Sequence, residues 1–179
     1  NARGARTRFF YDRNLRVIRV QYPSGIYTYE RDRVGRVFLE RQPDFASRRF
    51  IWNAVGELTA LQDASSNLWQ FRYSRTGAPT RTVDPNGRVT QMVYDALDRL
   101  IETIDPAGRR RRVTRGPDGE VTAATNARNA VTRFRHDEML RVLETTDPLG
   151  FKVTLDRDPH GNVETLLNER RHPWLFTHD

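Results

Sequence analysis

Four histidines, a scatter of aspartates, five serines and a run of four arginines are the residues of this sequence that could do chemistry, and each class has a geometric requirement. A metal site needs imidazoles and carboxylates converging on one point, yet His136 and His178 stand 42 residues apart and His160 and His172 fall between them beside Pro159 and Pro173. General acid–base hydrolysis needs two carboxylates with separated pKa values in one cleft. The candidates Asp84, Asp105 and Asp147 each open the same tetrad: Asp84-Pro85-Asn86-Gly87, Asp105-Pro106-Ala107-Gly108 and Asp147-Pro148-Leu149-Gly150. Such a tetrad is a turn signature: the aspartate accepts backbone N–H groups, proline presets φ, and the closing glycine takes a left-handed conformation. Ser24, Ser47, Ser65, Ser66 and Ser74 sit in no Gly-x-Ser-x-Gly elbow, and with no cysteine there is neither a thiolate nucleophile nor a disulfide. Arg109-Arg110-Arg111-Arg112 is the densest charge run. In a strand its members alternate between faces, so it reads as solvated or cavity-lining rather than as a phosphate cradle. No catalytic, cofactor or metal site is expected.

What places these residues is a repeat. Taking Tyr94 as the reference, equivalent positions are Tyr11, Arg31, Trp52, Tyr73, Tyr94, Arg115, His136, Arg157 and His178; the first step is 20 residues and every later one 21. The following residue is Asp12, Asp32, Asn53, Ser74, Asp95, Gly116, Asp137, Asp158 or Asp179. This residue, small and polar except at Gly116, stands three before Gly35, Gly56, Gly77, Gly119 or Gly161, the spacing of a type I turn with a bulge. Each unit therefore reverses the chain twice, once here and once at the Asp-Pro-x-Gly tetrad. Asp98 and Leu140 replace the glycine of the first turn, and Asp63-Ala64-Ser65-Ser66 and Asn126-Ala127-Arg128-Asn129 replace the tetrad. At these four places reshaped loops are expected.

The segments between turns, such as Arg88–Tyr94 and Arg99–Ile104, are too short for helices and rich in β-branched and apolar residues. They predict an all-β chain of antiparallel hairpins, strands about six residues long. Alternation puts Thr90, Met92 and Tyr94 on one side. The position two before the reference residue is Phe50, Phe71, Met92, Val113, Phe134, Leu155 and Phe176, apolar in each of these units, and the position six after it is mostly valine or leucine. These columns predict the core spine, with Phe71, Met92, Phe134, Leu155 and Phe176 the most buried residues and Phe134→Ala costing about 3–5 kcal/mol.

The composition is thin for a thick core, with 37% apolar and 30% charged residues, but 10% aromatic content argues against disorder. The charge of +7 comes almost wholly from arginine, Lys152 being the one lysine, and the arginines are spread along the chain rather than gathered, which argues against nucleic acid as a partner. No apolar run approaches 18 residues, so no membrane-spanning helix is expected.

A 21-residue unit of Tyr-Asp-x-x-Gly-Arg-Leu type, as at Tyr94–Leu100, followed by Asp-Pro-x-Gly, resembles the YD repeats of Rhs proteins, known from bacterial polymorphic toxins, the C components of insecticidal toxin complexes and teneurins. The resemblance covers Tyr11 to Asp179. It implies a curved, spiralling hairpin ribbon over 11–179, after a lead-in strand or linker at 1–10, forming part of a hollow cocoon. The function so implied is a non-enzymatic shell that encloses and helps deliver a C-terminal toxin domain, as in a type VI secretion effector. The partners implied are the rest of the shell, the toxin domain and chaperone or secretion-apparatus proteins. Synthesis in the cytoplasm would be followed by secretion or delivery to a target cell. The family's C-terminal core motif with its self-cleaving aspartates has no counterpart here, so cleavage and toxin activity are expected outside this chain. A second reading is an extracellular adhesion module whose Trp52, Trp69 and Trp174 stack on carbohydrate or a cell-surface protein.

Overall fold

The structure, a computed structural model, describes residues 6–44, 46–158, 160–168 and 173–176. The chain divides into two compact units, residues 1–90 and 91–179. Unit 1 is a meander of β1 (Arg8–Tyr11), β2 (Val17–Tyr22), β3 (Gly25–Arg31), β4 (Val37–Arg41), β5 (Ser47–Trp52), β6 (Leu58–Gln62), β7 (Leu68–Tyr73) and β8 (Pro79–Val83). The division falls inside β9 (Val89–Tyr94). Unit 2 continues with β10 (Leu100–Ile104), β11 (Arg110–Arg115), β12 (Val121–Thr125), β13 (Val131–His136), β14 (Val142–Thr146), β15 (Lys152–Arg157), β16 (Val163–Leu167) and β17 (Pro173–Leu175). Within each unit every strand pairs antiparallel with the next in sequence, and no helix occurs among the described residues. The all-β hairpin class expected from the repeat is the one observed.

The two turns of each unit share one hydrogen-bond plan. At Asp84 the backbone N–H donates to Arg88 O (3.0 Å) and Gly87 N–H donates back to Asp84 O (2.9 Å). At Asp32 the same pair of bonds joins Arg36 O and Gly35 N–H. The two turns differ in strand register. Pairing at the Asp32-type turn skips a residue, as where Leu100 faces Tyr94 but Glu102 faces Val93, whereas pairing at the tetrad stays in register, as in Ile104 opposite Arg110. An extra residue on one side of every unit is a β-bulge.

The degenerate turns are not reshaped. Asp98 (φ 58°), Leu140 (φ 62°), Ser66 (φ 65°) and Asn129 (φ 62°) adopt the left-handed conformation that glycine takes elsewhere, and each N–H reaches the carbonyl three residues back. The carboxylate or amide that opens the turn fixes the hairpin strongly enough to hold a non-glycine residue there.

The expected core needs a larger correction. Phe50 and Phe71 share one face within unit 1, and Met92, Val113, Phe134 and Leu155 share one within unit 2, but all are only half-buried, and Phe176 is 43% exposed. Among the described residues only Val20 and Ala60 are buried hydrophobics. A column of apolar side chains on a single layer is covered by its cross-strand neighbours and by nothing above them. The full penalty expected for Phe134→Ala presupposed a second layer.

Candidate functional site

The side chains whose chemistry stood out in the sequence are organised as two structural arrays. The first is a series of capped turns. Asp84 Oδ1 accepts the N–H groups of Asn86 and Arg88 (both 2.9 Å), and Oδ2 accepts from Arg88 Nε. Asp105 binds Ala107, Arg109 and Arg109 Nε in the same way, and Asp147 Oδ1 takes the N–H groups of Leu149 and Phe151. Pro85, Pro106 and Pro148 occupy the second position of these turns, and Gly87, Gly108 and Gly150 close them with φ of 76°, 77° and 90°. Gly35, Gly56, Gly77, Gly119 and Gly161 close the bulged turns at φ between 88° and 96°. Ser74 Oγ replaces the carboxylate, accepting from Thr76 and Ala78.

Capping sets the acidity of these groups. A backbone bond from Arg16, Arg99 or Arg141 is the main influence holding Asp12, Asp95 and Asp137 below the ordinary 3.8, assisted by the guanidinium and opposed by desolvation. The amides of Asn67 and Asn162 do the same for Asp63 and Asp158. For Asp32, Asp84 and Asp105 desolvation is the largest single influence and pushes upward, but the combined bonds of the following arginine outweigh it. Depressed carboxylate pKa values stabilise the fold fully above the unfolded-state pKa, near 4, and that stabilisation disappears as pH falls through the folded-state values. The melting temperature should therefore hold level on this account from pH 7 to 5 and drop below about pH 4. A melt series showing stability rising toward pH 3 would contradict the caps.

The second array has no counterpart among the motifs of the sequence. Side chains of the reference column reach back to a carbonyl at the start of the strand just before their own, in the preceding repeat. Arg31 Nη2 donates to Val17 O (2.9 Å), Trp52 Nε1 to Val37 O (2.8 Å), Tyr73 Oη to Leu58 O (2.9 Å) and Arg157 Nη2 to Val142 O (3.4 Å). Each acceptor lies six residues after a reference position, at the bulge, where the ladder skips. Arg31, Arg115 and Arg157 also bind the carbonyls of Gly35, Gly119 and Gly161. The available signal was chemical type: tyrosine, tryptophan, arginine and histidine all carry an N–H or O–H donor far from the backbone. Tyr73→Phe keeps the ring and removes the bond, so it should cost about 1 kcal/mol by denaturant titration; no loss of stability would show that water serves Leu58 equally well.

The remaining candidates do not converge. His136 is half-buried in the reference column and His160 lies at an exposed turn, while His172 and His178, with Pro159 and Asp179, fall outside the described residues. No metal-binding group of three or more histidine or carboxylate side chains occurs among the described residues. The arginine run is largely spent on ion pairs: Arg109 with Asp105, and Arg110 and Arg112 with Glu102 (both 2.9 Å). Trp52 is half-buried beneath Arg36 (5.8 Å to the ring) with its N–H engaged, and Trp69 is half-buried, whereas Trp174 is exposed.

The RHS Repeat family model matches residues 52–88 and 73–110, windows that open on the consecutive reference residues Trp52 and Tyr73. The crystal structure of TcdB2-TccC3 without its hypervariable C-terminal region superposes over 90% of this chain at a TM-score of 0.53 and 15% identity. Residues 52–110 carry RHS repeats. TcdB2-TccC3 itself matches at 0.52 with 16% identity over 90% of the chain, as does its complex with Cdc42. The chain spans only 11 to 12% of the length of these structures' chains. No curated protein matches its sequence. At this identity the likeness establishes a shared fold, and the turn and tip arrays give that fold its local basis.

Proposed function

We propose that this chain is a stretch of wall in an Rhs-type toxin shell, a curved and spiralling scaffold that encloses a toxin domain and helps deliver it. The observation that carries the reading is continuity within each unit. Hairpin follows hairpin with nearly every turn capped, one face bears the half-buried apolar column, and the candidate catalytic side chains are engaged in turns, ion pairs and tip bonds. Such a wall shields cargo because backbone pairing leaves few free strand edges for other chains to join. Its partners would be the rest of the shell and the enclosed domain, with chaperones or secretion machinery handling the assembly, and delivery through a type VI apparatus is the route we favour. The wall itself would catalyse nothing.

The test is protection. In the product of the complete reading frame, limited proteolysis should leave polypeptide downstream of this segment intact until the wall is breached, for instance by acid. Downstream polypeptide cleaved as fast as an unfolded control would exclude enclosure, and an outward-facing segment anchored upstream to a membrane would favour adhesion.

A further inference from the structure

Strands β5 to β8 contain four arginines and not a single carboxylate. Two of these arginines, Arg72 and Arg81, are directly opposed across the β7–β8 pair. Like charges directly opposite one another destabilise a sheet. Neither guanidinium forms an ion pair with a carboxylate among the described residues, and Arg81 Nε is shielded from solvent without a hydrogen-bond partner. By register the pair lies on the face opposite the apolar column, where the preceding cross-strand row is Ile51, Ala60, Gln70 and Val83. Ala60, small and 8% exposed, floors a recess of about 480 Å³ that Gln70, Arg72, Arg81 and Val83 border.

We propose that this recess is an oxyanion site and that its occupant is a carboxylate side chain of an acidic protein segment lying across β7 and β8. Two guanidinium groups offer forked N–H donors matched to a carboxylate, and an anion between them converts the repulsion into attraction. The Gln70 amide adds a neutral donor beside them. Arg49, on the same face of β5, extends the positive strip, while Ile51, Leu68 and Val83 give the apolar parts of a peptide something to rest on. Nucleic acid fits less well, because sequence-tolerant binding of single strands relies on aromatic rings for base stacking. All the aromatic residues of β5 to β8, namely Phe50, Trp52, Trp69, Phe71 and Tyr73, project from the other face. The site does not depend on the chain being a shell wall.

The experiment uses this chain and fluorescent decaglutamate as probe, with a ten-residue oligothymidylate for comparison. Arg72→Glu should weaken decaglutamate binding about tenfold while raising the melting temperature by about 2 °C, because the variant replaces a repelling pair by an ion pair. Arg81→Gln should weaken binding to a similar extent. Arg128→Glu, which makes the same charge change as Arg72→Glu at an exposed turn, should leave binding unchanged. The opposite signs of the two Arg72→Glu effects separate loss of the site from loss of the fold. The proposal is overturned if decaglutamate does not bind, if Arg128→Glu weakens it equally, if Arg72→Glu lowers the melting temperature, or if the oligothymidylate binds more tightly through the same two arginines.

Discussion

Gly25→Ala is expected to destabilise the chain by about 3–4 kcal/mol, the largest loss from any single methyl group added to this fold. Gly25 has φ of +143°, a backbone conformation that costs an L-residue about 1–2 kcal/mol. A Cβ there would lie 2.5 Å from Pro43 Cγ and closer still to Pro43 Cβ. Both are atoms of a rigid ring in an adjacent turn, so the contact cannot be relieved by a rotamer change, and overpacking of this kind adds about 1–3 kcal/mol. The glycine exists because the turn from β2 to β3 is short. Tyr22 pairs directly with Gly25 across Pro23-Ser24, whereas the next turn on that edge joins Gln42 to Ala46. That missing residue accounts for the single 20-residue step in an otherwise 21-residue repeat. Thermal melts of Gly25→Ala, Pro43→Ala and the double variant separate the two contributions, since removing the ring should recover the steric part and leave the backbone part. If Gly25→Ala melts within a degree of the parent, the close approach of the two turns is wrong.

The same turn shows what a sequence of this kind reveals. Turn positions were legible because capping needs a particular atom at a fixed offset: Asp84, Asp105 and Asp147 announce themselves through the proline and glycine beside them. Strand class and face are then set by spacing alone. The tip array was hidden because its acceptors are backbone carbonyls, which have no side-chain signature; nothing in the letters of Val37 or Leu58 marks a carbonyl freed by a bulge. The depth of burial was hidden for another reason. Phe71 and Phe134 are apolar in their column whether one layer or two surround them, and the number of layers is a property of the assembly. The degenerate turns mislead when glycine is treated as necessary, because the cap and the two hairpin bonds at Asp63 or Asp137 suffice to hold Ser66 or Leu140 left-handed.

Left-handed leucine and serine imply stored strain that can be removed. Leu15 (φ 59°), Ser66 (φ 65°) and Leu140 (φ 62°) each occupy a position where most turns of the chain have glycine. Left-handed backbone costs such residues about 1–2 kcal/mol, and introducing glycine costs about 0.5–1 kcal/mol in unfolded-chain entropy, so each replacement should gain about 0.5–1 kcal/mol net. Little packing is lost in exchange, since Leu15 is 82% exposed and Leu140 44% exposed. The three residues sit in separate turns with no shared hydrogen-bond partner, so their effects should add. Leu15→Gly, Ser66→Gly and Leu140→Gly combined should stabilise the chain by about 2 kcal/mol and raise its melting temperature by about 4–8 °C. The reverse exchange tests the cause. Gly87 has φ of 76° and no atom within 4 Å of where a Cβ would stand, so Gly87→Ala reports backbone strain free of any clash and should cost about 1 kcal/mol. Stabilisation by the triple variant together with destabilisation by Gly87→Ala identifies left-handed strain as the shared origin. A triple variant that melts lower than the parent would mean that the leucine side chains hold these turns through contacts worth more than the strain they impose.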